Sequence, residues 1–82
     1  MLETRSLRIA DIYVPAARRR ALDPARVEAL ATDMLEEGQK TPILVRAGKG
    51  RFVLVDGAHR LEAGRALGEE TILAILVQAR RH

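Results

Sequence analysis

Two helix-start signals, each closed by a glycine and set between short β-branched runs, fix what this chain can fold into. Asp23-Pro24 opens the first, since aspartate is a favoured N-cap and proline suits the first helical position. Val27, Leu30, Ala31, Met34 and Leu35 then form one apolar stripe over two turns, and Gly38 supplies the stop. Asp56-Gly57 opens the second helix, over residues 58–67, with a weaker stripe of Leu61, Ala63, Ala66 and Leu67 before Gly68. Residues 42–46 and 51–55 flank Ala47-Gly48-Lys49-Gly50, which predicts a hairpin. Residues 7–14 alternate at Leu7 and Ile9, then shift phase to Ile12 and Val14, so a strand bent near Ala10-Asp11 is expected before Pro15. Residues 71–77 are a nearly continuous apolar run, short and rich in Ile, Leu and Val, as in an interior strand. Residues 16–22, with Arg18-Arg19-Arg20, are expected as an exposed loop. The order β-α-β-β-α-β predicts an α+β fold: a small mixed sheet of about four strands with two main helices.

At 82 residues the expectation is a single domain, residues 1–82, burying roughly 60–65% of its unfolded surface. The hydrophobic fraction is 48% but the aromatic fraction only 2%, from Tyr13 and Phe52, so the core must be aliphatic. The absence of cysteine excludes a disulfide framework, a thiolate zinc site and a thiol nucleophile. His59 and His82 are too few for a zinc site, and Ser6, the only serine, has no base nearby in sequence. Glu36, Glu37, Glu69 and Glu70 flank helix ends and are expected in solvent. A net charge of +3 and a pI near 10.2, mostly from arginine, suit phosphate-bearing partners, nucleotide or nucleic acid. The basic end Arg80-Arg81-His82 is expected as a frayed tail. No apolar run approaches the roughly 20 residues that cross a bilayer, and residues 1–8 lack a signal-peptide core. A soluble, cytoplasmic protein with no membrane contact is expected.

Both helices carry arginine at their third position, Arg26 and Arg60, with His59 just before the latter. Helix starts carry partial positive charge and unpaired N–H groups, and normally favour acids. A basic side chain there makes sense when an anion sits beside it, taking backbone N–H bonds and the guanidinium fork together. Gly57, lacking a β-carbon, lets the turn approach a ligand closely. Asp56 reads as a helix cap or as a contact to a metal or ribose hydroxyl. A lone Asp-Gly is ordinarily just a turn, and a lone arginine is ordinarily solvated. Gly57-Ala58-His59-Arg60 after a strand and opening a helix has the context of a phosphate-holding turn.

This pattern resembles the ParB N-terminal and sulfiredoxin superfamily over residues 7–79. Leu22-Asp23-Pro24-Ala25-Arg26-Val27 followed by Leu30-Ala31 is similar to its first-helix signature. Glu37-Gly38-Gln39 with Pro42-Ile43-Leu44-Val45-Arg46 is similar to the ParB stretch leading into the hairpin. Val55-Asp56-Gly57-Ala58-His59-Arg60-Leu61-Glu62-Ala63 resembles its nucleotide-binding turn, and residues 70–78 resemble the last strand of sulfiredoxin. The resemblance implies binding of a nucleoside triphosphate with Mg2+, CTP as in ParB or ATP as in sulfiredoxin. It places phosphate on Gly57, Ala58, His59 and Arg60, with Arg26 matching a basic residue that assists in sulfiredoxin. A related free serine kinase has a turn of the Asp-Gly-x-His-Arg type. The sequence departs from these patterns at Ala58, where sulfiredoxin has its catalytic cysteine, and this argues against cysteine-sulfinic reduction. It departs again at Ala58, His59 and Glu62, where ParB reads Glu, Arg and a further Arg.

Two functions follow as expectations. One is a nucleotide-binding module, with hydrolysis or phosphotransfer open, in which Arg26, His59 and Arg60 clamp phosphate. The other is a non-catalytic module of a plasmid, phage or partition system that associates with DNA or a DNA-binding partner. There Arg18-Arg19-Arg20 and the same turn would meet a nucleic-acid backbone. An exposed hairpin leaves a homodimer open.

Overall fold

The computed structural model describes residues 3–78, so the expected tail at Arg80-Arg81-His82 lies outside them. Five strands form one sheet: β1 (Thr4–Arg8), β2 (Ile12–Tyr13), β3 (Ile43–Ala47), β4 (Phe52–Asp56) and β5 (Thr71–Leu76). Three helices join them: α1 (Ala16–Arg20), α2 (Pro24–Glu37) and α3 (Ala58–Ala66). The sheet order is β1-β5-β3-β4-β2. β1 runs antiparallel to β5 and β3 to β4, whereas β3 and β5, and β2 and β4, are parallel.

The fold class is therefore the one expected, with one more strand and one more helix. The extra strand comes from the phase slip after Ile9. Ile9–Asp11 forms a 3-10 turn, and Ile9 donates its N–H to the Glu70 carbonyl at 2.9 Å. That turn cuts the expected bent strand into β1 on one edge of the sheet and β2 on the other, while both Ile9 and Ile12 stay buried. The extra helix corrects the loop expected over residues 16–22. The Pro15 carbonyl accepts from the Arg18 and Arg19 amides, and alanine and arginine are good helix formers, so a short α1 closes there.

The core is aliphatic: Ile9, Ile12, Ile43, Val45, Leu54, Leu61, Ile72 and Ala74, with Phe52 packed at its margin. α3 lies between this sheet and α2, and buries Leu61, Ala63 and Gly64. A helix covered on two sides needs no single clean stripe, which explains its weak pattern in sequence. α2 rests chiefly on α3 and has no fully buried residue. Val27, Leu30, Ala31 and Met34 of its stripe are half-buried; Leu35, at 74% exposure, is not part of the packed face.

Past the end of α2, Gln39 substitutes for a missing strand neighbour. Its Oε1 accepts from the Leu73 amide at 2.8 Å, and its Nε2 donates to the Leu73 carbonyl at 2.9 Å. β3 first pairs with β5 at Ala74, so Gln39 completes the ladder one residue before that start. Gln39→Ala removes both bonds, together with the one that Nε2 donates to the Thr41 carbonyl at 3.0 Å, and is expected to cost about 1–2 kcal/mol, a fall in Tm of roughly 4–16 °C. Thermal unfolding followed by circular dichroism checks it, and an unchanged Tm would refute the role of this side chain.

Candidate functional site

β4 ends at Asp56, and Gly57 turns the chain into α3 with φ of 106°, a left-handed conformation that favours glycine. The turn also lies low on the sheet. A Cβ at Gly57 would stand 2.7 Å from Ile43 Cγ2 and 3.3 Å from Ile43 Cα, and Ile43 is completely buried. Both conformation and space therefore require glycine here.

The low turn sets the start of α3 beside the start of α2. Arg26, Gly57, Ala58, His59 and Arg60, the five residues nominated from sequence, all line one concavity of about 310 Å³. Arg18, Ala21, Leu30 and Asp56 complete its wall. Arg26 and Arg60 are the third residues of their helices, as expected, and neither helix has an acid in its first turn. Among the described residues neither arginine is ion-paired.

The two helix starts differ in one respect. α2 is capped by Asp23, whose side chain accepts from the Ala25 amide at 3.0 Å. α3 has Gly57 at its cap and no side-chain acceptor, so the amides of its first turn are without a side-chain partner. Asp56 does not cap it, contrary to one of its two sequence readings. Its carboxylate instead stands 3.8 Å from Arg18 of α1, both side chains well exposed. Arg18 also donates to the Val55 carbonyl. His59 accepts at Nε2 from the Asp23 backbone amide, 3.0 Å away.

Arg18 is the pocket residue that sequence reasoning placed elsewhere, in a loop facing nucleic acid. Its signal was Pro15 followed by Ala-Ala-Arg-Arg-Arg, a run able to close one helical turn. The nearest charges to the pocket are thus three guanidiniums, Arg18, Arg26 and Arg60, against the one carboxylate of Asp56. Among the described residues no group of three His, Asp or Glu could hold a metal ion alone. No described helix is long and apolar enough to cross a membrane.

These features define a small α+β domain with a basic pocket at a strand-to-helix turn. The chain belongs to the ParB N-terminal domain family, whose model matches residues 2–82. It is 36% identical over 62 residues to a probable chromosome-partitioning protein ParB of Campylobacter jejuni, a match spanning 76% of this chain and 22% of that protein. Its fold is similar to sulfiredoxin from Arabidopsis thaliana, with TM-score 0.84 and 28% identity over 94% of this chain and 86% of that one. It is also similar to the C-terminally truncated ParB of Caulobacter crescentus complexed with CTP-γ-S, with TM-score 0.83 and 24% identity over 95% and 46% of the two chains.

Gly57→Ala is expected to destabilise the protein by about 2–4 kcal/mol, combining backbone strain with overpacking on Ile43. Gly68 has φ of 76° but open space where a Cβ would go, so Gly68→Ala should cost only about 1 kcal/mol. Urea denaturation of both variants checks the difference; equal losses would show that contact with Ile43 contributes nothing.

Proposed function

We propose that this domain binds a nucleoside triphosphate, with the polyphosphate held at the start of α3. The observation that carries this reading is the uncapped α3 N-terminus facing the same concavity as three arginines, none of them neutralised except weakly by Asp56. A phosphate there takes backbone N–H bonds from Ala58, His59 and Arg60 and charge-assisted bonds from Arg60 and Arg26. Because α2 already has its Asp23 cap, it contributes a guanidinium and α3 contributes the amides. The CTP-γ-S complex of a protein with this fold supports a nucleotide as the ligand class.

Mg2+ fits the donor set only in company with the ligand. Mg2+ is usually held by one or two carboxylates plus substrate phosphates, and Asp56 is the carboxylate that lines the pocket. When bound, the ion would offset phosphate charge. Arg18 and Asp56 now satisfy one another at long range, and a phosphate–metal pair would offer each a closer partner. Phosphoryl transfer depends mainly on positioning and charge stabilisation, so hydrolysis or transfer is the activity this set of groups suits.

A thermal-shift panel of CTP, ATP, ADP and GTP with Mg2+ tests the reading. Ligand at 100 times its Kd should add about 2.7 kcal/mol of apparent stability. Arg60→Ala and Arg26→Ala should each weaken binding by about 10- to 100-fold, the value of a charge-assisted bond, with folding intact. Were no nucleotide to shift the midpoint while duplex DNA did so with steep salt dependence, the site would be a nucleic-acid contact instead.

A further inference from the structure

We infer that His59 serves the pocket as a neutral positioning residue that pins the start of α2 to the start of α3, and not as a cationic phosphate clamp. The pin is a contact within the fold itself; only its consequence for ligand binding rests on the nucleotide reading above. The Asp23 backbone N–H donates to His59 Nε2 at 3.0 Å, joining residues 36 positions apart. A ring nitrogen that accepts a hydrogen bond carries no proton, so in the neutral ring the proton is on Nδ1. An imidazolium has no acceptor at all. The bond and a cationic His59 therefore exclude one another.

What the bond joins explains its use. Asp23 is the N-cap of α2, three residues before Arg26, and its own side chain holds the Ala25 amide. His59 immediately precedes Arg60. Among the described residues no other side-chain hydrogen bond links the two helix starts. Beside the packing of α2 on α3, the relation of Arg26 to Arg60 is thus held at the pocket by a contact that a third residue makes. His59 also lines the concavity, which leaves Nδ1–H as its donor toward a ligand, one that carries no charge. The division of labour is that the arginines supply charge and the histidine supplies geometry.

Three variants of the full 82-residue chain separate the roles. His59→Gln keeps an acceptor without charge, His59→Lys keeps a cation without an acceptor, and His59→Ala keeps neither. In the unliganded wild-type protein, long-range 1H–15N NMR should find the imidazole proton on Nδ1. The Asp23 amide should exchange with solvent at close to the wild-type rate in His59→Gln. In the other two variants it should exchange about 3- to 10-fold faster, with the Val45 amide unchanged as a control for global unfolding. Affinity for CTP and ATP with Mg2+ should stay within about threefold in His59→Gln and fall roughly 3- to 10-fold in His59→Lys. A proton on Nε2, or a His59→Lys variant that binds as well as wild type while His59→Gln does not, would overturn the inference. If no nucleotide binds any form, the nucleotide reading fails, and the tautomer and the Asp23 exchange rate still decide the pin.

Discussion

The contact between the Gly57 turn and the buried Ile43 side chain governs the arrangement of everything around the pocket. Ile43 begins β3 and pairs with Ala74 of the parallel strand β5, so it lies in the middle of the sheet and has no freedom to yield. With no Cβ above it, the chain leaves β4 low and enters α3 at once. α3 then lies close to the sheet, where a Cβ at Gly64 would stand 3.6 Å from Ile9 Cδ1 and 3.7 Å from Ile72 Cδ1. α2 rests chiefly on α3, so its position follows from that turn. A larger residue at 57 would lift α3, and with it the relation between Arg26 and Arg60.

Away from the pocket, ion pairs on α2 and α3 show the ordinary arrangement of charge on a helix. At the C-terminal end of α2, Lys40 lies 2.7 Å from Glu37 and 3.5 Å from Asp33, and these two partners, Glu37 first, hold its ammonium above the usual lysine range. On α3, Arg65 meets Glu62 at 3.6 Å. At the two helix starts the pattern reverses: cations occupy the place that favours anions, against the helix dipole by a few tenths of a kcal/mol each. Arg26 and Arg60 line the same concavity, and among the described residues neither has an ion-pair partner. That contrast is the physical content of the site.

Much of this was legible in the sequence because it is written in local chemistry. Asp23-Pro24 and Gly38 mark α2, and the β-branched runs around Gly48 and Gly50 mark the hairpin, each through a rule that acts within a few residues. Arg26 and Arg60 were legible as misplaced charges for the same reason. What escaped depended on distant pairing. β2 exists as a strand because Ile12 and Tyr13 lie parallel to Phe52 and Val53, far along the chain. Arg18 belongs to the pocket because it reaches Val55 and Asp56, which no spacing rule in residues 15–22 reveals. The bond between His59 and the Asp23 amide was hidden for the same reason, since the two lie 36 positions apart.

The departures from the wider family also acquire a physical meaning. Ala58, standing where sulfiredoxin carries its cysteine, packs part of its surface against the core. Glu62, where ParB carries a further arginine, is outside the pocket wall and engaged with Arg65. The wall therefore presents guanidiniums, one imidazole and one carboxylate, but no hydroxyl, thiol or amine. The imidazole already spends one nitrogen on the Asp23 amide. Under the function proposed above, such a pocket would orient and neutralise phosphate, and a phosphoryl group transferred there would need its attacking oxygen from water or from a second substrate. The selectivity of such a site lies in what the spacing of its arginines admits, and that spacing returns to the turn over Ile43.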